Sequence, residues 1–124
     1  MKTFGELQNG DYIYYWDKGK LHPQLIHNIE VTEQVSEYID WSGNKAISKR
    51  PYIKIEAGKG TILELYYENH STEVRRGYLL RFSCLEAANQ WIERQQKYYT
   101  RKIECLKWRL ERYENLVQKY SNRY

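Results

Sequence analysis

From Cys84 to the end of the chain there is neither a proline nor a glycine, and good helix formers dominate the run. Ser83-Cys84-Leu85-Glu86 before it has the spacing of a capping box, with the Ser83 hydroxyl placed to accept from the Glu86 N–H. A helix from there to Tyr120 would be about 55 Å long at 1.5 Å per residue. The 83 residues ahead of it would make a body with a radius of gyration of roughly 12 Å. So long a helix cannot be covered by so small a body, and the excess needs another surface.

The helix carries the pattern for one. Ile103, Leu110 and Val117 recur every seven residues, and Tyr99, Leu106, Tyr113 and Tyr120 fall between them at the complementary spacing. Intervals alternating between four and three are those of a coiled-coil seam, with the first set at a and the second at d. Branched Ile and Val at a favour a parallel pair, whereas bulky Tyr at d leaves an antiparallel pair equally open. A second stripe, Trp91, Tyr98, Cys105 and Trp108, lies about 120° round the helix. Two apolar faces call for two partners. We expect Leu85, Trp91 and Tyr98 to pack on the chain's own β domain and the seam to meet a second copy in a homodimer. The competing arrangement is a bend at Tyr98-Tyr99-Thr100 that folds two shorter helices into a monomer.

Residues 1–83 read as a β domain and 84–124 as the helical segment, an α+β chain. Asn9-Gly10-Asp11 is a turn signal, and Tyr12-Ile13-Tyr14-Tyr15-Trp16 is rich in strand formers. Asp17-Lys18-Gly19-Lys20 reads as a hairpin connection into a strand over 24–32. A third strand is expected over 34–41, with Val35, Tyr38 and Ile39 in the core, closed by Ser42-Gly43-Asn44. Pro51 is expected at a strand start or an edge, since it has no N–H to give a ladder. Ile53, Ile55 and Ala57 alternate onto one face, Gly58-Lys59-Gly60 turns the chain into 61–68, and 69–73 is a polar loop before a last strand over 77–82. Six short antiparallel strands at close spacing suit a small barrel or a bent sheet. Gly10-Asp11 before an aromatic strand, followed by a Gly-containing hairpin, resembles the opening of an SH3-like barrel over the first 30 or so residues. That resemblance implies a style of fold and no activity.

Thirteen Tyr and four Trp give the chain many rings with polar tips, suited to half-exposed sheets and interfaces. Chemistry is harder to find. His22, His27 and His70 are scattered, without metal-ligand spacing. No phosphate-binding glycine loop, metalloprotease or serine-hydrolase motif occurs. The two cysteines, Cys84 and Cys105, would be about 31 Å apart along a helix, too far to bridge within a chain. With no leader-type N-terminus and no apolar run of about 18 residues, the expectation is a cytoplasmic protein that is not an enzyme and needs no cofactor or metal.

Binding is what remains. The first 83 residues are neutral in sum, so the net charge of +4 falls on the helix, where cations are interrupted by Glu93, Glu104, Glu111 and Glu114. One reading is a protein-interaction module of adaptor or inhibitor type, because aromatic and Arg side chains make interface anchors. The alternative is a single-stranded nucleic-acid binder. Lys49, Arg50, Tyr52 and Lys54, and again Arg75, Arg76, Tyr78 and Arg81, interleave cations with rings that could meet phosphates and bases. The same eight residues are the candidates for contact with either kind of partner.

Overall fold

The computed structural model describes residues 1–122; residues 123 and 124, part of the segment 84–124 read from the sequence, lie outside the described residues. Its architecture is α+β, a curled six-stranded antiparallel sheet followed by one long helix. The elements are a short 3-10 turn at Phe4–Glu6, strands β1 (Tyr12–Asp17), β2 (Lys20–Ile39), β3 (Lys45–Ala57), β4 (Thr61–Tyr66), β5 (Glu73–Arg76) and β6 (Leu79–Phe82), and helix α1 (Leu85–Ser121). The strand order is β4-β3-β2-β1-β6-β5.

The curl follows from β2, which serves two neighbours in turn. Its residues Lys20 to Leu25 pair with β1, across a hairpin whose Lys18 and Gly19 both have positive φ, as a type I′ turn requires. From Ile26 onward it pairs with β3 instead, with a bulge between Ile26 and Asn28. A bulge bends its strand and sharpens the twist, so β1-β6-β5 and β3-β4 become the two walls of a half-barrel. Ile13 and Val74 from one wall, Ile53, Ile55, Ala57, Leu63 and Leu65 from the other, and Ile26 from β2 between them form the core with Phe4 and Leu7. At the open side Arg76 links the outer strands. Its guanidinium donates to the Glu64 carbonyl at 3.2 Å and to the Glu68 carboxylate at 2.6 Å. The N-terminal turn fits closely against the loop before β5, where Gly5 donates to the Asn69 carbonyl at 2.8 Å. A Cβ on Gly5 would come within 2.7 Å of that oxygen, which is why only glycine serves there.

Several expectations need correcting. The strands predicted over 24–32 and 34–41 are one strand of 20 residues. Val35, Tyr38 and Ile39 are exposed rather than core, because they lie on the part of β2 that runs on past β1 and β4. The sixth strand comes from Glu73–Arg76, which the polar-loop reading did not include as a strand. Pro51 is inside β3 and not at its start, yet the physical reason for the expectation holds. It lies one residue beyond the last β3–β4 pair, Tyr52 with Tyr66, so its β4-facing side has no ladder to complete. Pro23 repeats the device on β2, paired with Tyr14 but ahead of the point where β3 begins.

Ser83 does not cap the helix. Its hydroxyl is buried and donates to the Lys2 carbonyl at 2.5 Å, and helix α1 begins at Leu85 with Cys84 in the cap position. The reciprocal arrangement occurs at the first turn of the chain instead, where the Glu6 carboxylate accepts from the Thr3 N–H and hydroxyl. Those bonds hold the Glu6 carboxyl below its ordinary pKa.

By contacts the chain divides into two compact units, Met1–Ala88 and the part from Asn89 onward, and α1 runs through the boundary. Truncation should separate core from overhang. Ile55→Ala, at a fully buried site, is expected to lower stability by about 2–5 kcal/mol. Ile39→Ala, 73% exposed, should change it by no more than about 0.5 kcal/mol in the same denaturant titration.

Candidate functional site

Two exposed surfaces stand out, one in each unit. The first is the far part of the β2–β3 hairpin. Beyond Ile26 the outer side of β2 has no strand beside it, and beyond Tyr52 the outer side of β3 has none either. The hairpin therefore continues as a two-stranded ribbon, its pairs running from Val31 opposite Ile53 to Ile39 opposite Lys45. Side chains alternate between faces along a strand, and directly opposed residues share one. The face that carries buried Ile53 and Ile55 thus continues outward as Val31, Pro51, Val35, Ile47 and Ile39, broken by Glu33, Glu37, Lys45 and Lys49. Val31, Val35, Ile39 and Ile47 are each more than half exposed.

The tip of the ribbon is ordered by Asp40. Its carboxylate oxygen Oδ1 accepts from the Ser42 and Asn44 N–H groups, both at 2.9 Å, while Gly43 supplies the positive φ of the turn. Trp41 stands fully exposed at that tip. Isolated two-stranded ribbons are marginal in water. One that holds an apolar ladder and an indole out to solvent is suited to being covered.

The eight predicted contact residues fall into separate places. Arg50, Tyr52 and Lys54 share the outer face of β3, while Lys49 is on the apolar-ladder face. That outer face is mixed in charge, since Lys54 is opposite Glu30 and Glu64 and forms an ion pair with Glu56 at 3.5 Å. Tyr52 and Tyr66 tilt together with ring centroids 5.2 Å apart. Burial, and then the neighbouring Glu64 carboxylate, raise the Tyr52 hydroxyl above its ordinary pKa. Tyr67 has a positive φ of 65°, uncommon for a bulky residue, and its ring lies 5.8 Å from the Arg50 guanidinium.

Arg75, Arg76, Tyr78 and Arg81 are on the opposite wall, at the β5–β6 hairpin, with β2 and β1 between them and β3 in the sheet order. Tyr78 is fully exposed at its turn and Arg75 is exposed beside it. Arg76 is engaged by Glu68 and acts as the latch described above. Arg81 is half-buried, and burial, then repulsion from Arg76, lower its guanidinium pKa.

The second surface is α1. It is unbroken through Tyr98-Tyr99-Thr100, so the bend that would fold it on itself is absent. Leu85 and Tyr98 are exposed, and the buried residues of the first turns are Ala87 and Ala88, with Trp91 half-buried. Tyr98 shares the face of Ala87 and Trp91 but lies about 16 Å farther along the axis than Ala87. It meets the Tyr99 ring edge-on at 5.1 Å, and the Lys102 ammonium sits 5.6 Å from its ring. The seam residues Tyr99, Ile103, Leu106, Leu110, Tyr113, Val117 and Tyr120 are all exposed, from 53% at Ile103 to 69% at Tyr120.

The ribbon was the site the sequence reading missed, though its signal was present. Ile29, Val31, Val35 and Ile39 keep period-two spacing, and no Gly, Pro, Asn or Asp interrupts the chain between Val31 and Tyr38. No protein-family model, curated protein or solved structure matches this chain. Among the described residues no helix is long and apolar enough to cross a membrane.

Removing the Asp40 carboxylate should free the tip without unfolding the sheet. Asp40→Ala is expected to speed amide exchange between residues 36 and 48. The core strands, read in the same hydrogen-exchange experiment, should keep their protection.

Proposed function

We propose that this chain is a non-enzymatic binding module that self-associates through α1 and holds a protein partner on its β unit. The observation that carries the reading is the seam on α1, open to water along three heptads of an unbroken helix. An isolated helix gains little from its own hydrogen bonds in water, and most helical stability in proteins comes from packing an apolar face. Exposed contiguous apolar surface of this extent marks an interaction site. A second copy brings an identical seam, which makes the homodimer the simplest cover.

Support for a protein partner comes from the ribbon and the outer face beside it. Val31, Val35, Ile39, Ile47 and Trp41 offer apolar and aromatic anchors, and the charges among them are of both signs. A nucleic-acid groove needs cations free to meet phosphate. Arg76 and Lys54 are held by carboxylates, which weighs toward protein.

Two measurements test this. In sedimentation the native chain should run as a dimer, and Leu106→Asp or Leu110→Asp as a monomer; a monomeric native chain contradicts the self-association. Capture from host lysate, with and without nuclease, tests the partner. A protein that stays bound after nuclease and moderate salt, and is lost with Trp41→Ala, fits the proposal. Binding abolished by nuclease, or falling by orders of magnitude over a fourfold rise in salt, would assign the β unit to nucleic acid instead.

A further inference from the structure

The seam also contains the information that sets how two copies meet. Resting on the self-association just proposed, we infer that the helices pair antiparallel in one register, about a two-fold axis between Glu111 and Arg112. Ile103 then faces the partner's Tyr120, Leu106 the partner's Val117, and Leu110 the partner's Tyr113, with each contact repeated across the axis. These six layers span residues 103 to 120, about 27 Å of helix.

Two independent features carry this inference, one setting the orientation and the other the register. The first is size. An antiparallel pair sets an a residue against a d residue in every layer, so within these six layers Tyr113 and Tyr120 meet the partner's Leu110 and Ile103. A parallel in-register pair sets like against like, and Tyr99, Tyr113 and Tyr120 would each confront their own copies. Two rings and two hydroxyls would then crowd one level of the seam, where a hydroxyl without a partner is costly.

The second is charge. Lys107 and Glu114 flank the seam on the same side, at e positions, and Lys102, Arg109 and Leu116 flank it at g. In the antiparallel register Lys107 faces the partner's Glu114 on both sides of the axis, while the alkyl stem of Arg109 covers the partner's Leu116. In a parallel pair Lys102 would face the partner's Lys107 and Arg109 the partner's Glu114, one repulsion against one attraction, so what charge decides is the register of the antiparallel pair. Sliding the antiparallel pair by one heptad one way sets Lys107 and Arg109 each against its own copy, and the other way sets Glu114 against its own copy. Like charges so placed are destabilising.

The register predicts opposite signs for one substitution. Lys107→Glu would confront the partner's Glu114 in the antiparallel dimer and weaken it by about tenfold. Adding Glu114→Lys should restore the affinity. In a parallel dimer the same Lys107→Glu would meet the partner's Lys102 and tighten association, which would overturn the inference.

Cross-linking of the full chain gives a second readout. With Cys84→Ser and Cys105→Ser in place, one chain carrying Leu106→Cys is mixed with a size-tagged chain carrying Val117→Cys. Glutathione disulfide serves as oxidant, so each new disulfide is balanced by two reduced glutathione thiols. Disulfides between unlike chains only are expected. Like-with-like dimers, or no cross-link in a sample that still sediments as a dimer, would overturn the register and leave the self-association standing. A monomeric sample of the native chain would remove both.

Discussion

A helix satisfies its own backbone but cannot cover its own apolar edge, and that is the constraint on which this molecule turns. Helix α1 has 37 residues, and past its first two turns almost every side chain is exposed. The charged residues of that segment are comfortable in water. The edge from Tyr99 to Tyr120 is not, and it repeats with the interval that two helices share when they wind together. The proposed function and the proposed register follow from one edge in need of a cover and from the size and charge of the residues along it.

The β unit solves a related problem by other means. A small antiparallel sheet must bury one face, and here a single long strand does so by changing partners at a bulge, which curls the sheet over Ile13, Ile55 and Leu63. The same strand then continues as an arm whose apolar face remains in water. Prolines stand at two of the places where a paired strand has an open side, Pro23 on β2 and Pro51 on β3. Open edges invite pairing with other chains, and natural sheets protect them with prolines and charges. Glu33, Glu37, Lys45 and Lys49 along the arm fit that need.

Local signals in the sequence told much of this, and long-range ones little. The helix, the Lys18-Gly19 hairpin and the alternation of Ile53, Ile55 and Ala57 were legible because each depends on neighbours within a few residues. The length of β2 was also legible in principle, since the stretch around Glu33 has no turn former. Which parts of that strand would be buried was not legible, because Val35 and Ile39 look the same in sequence whether β1 and β4 reach them or stop short. Ser83 shows the same limit. Its spacing to Glu86 suits a helix cap, but its hydroxyl goes to the Lys2 carbonyl, 81 positions away. Arg76, read as a cation for ligand, is taken up by Glu68 through a closure of the sheet that only the fold creates.

Amide exchange along α1, followed as a function of protein concentration, tests the central claim most directly. If the edge is covered by a second copy, protection between residues 99 and 120 should rise with concentration and level off as the dimer fills, while the β core stays unchanged. Protection there that is the same at every concentration, whether weak or strong, would contradict the account.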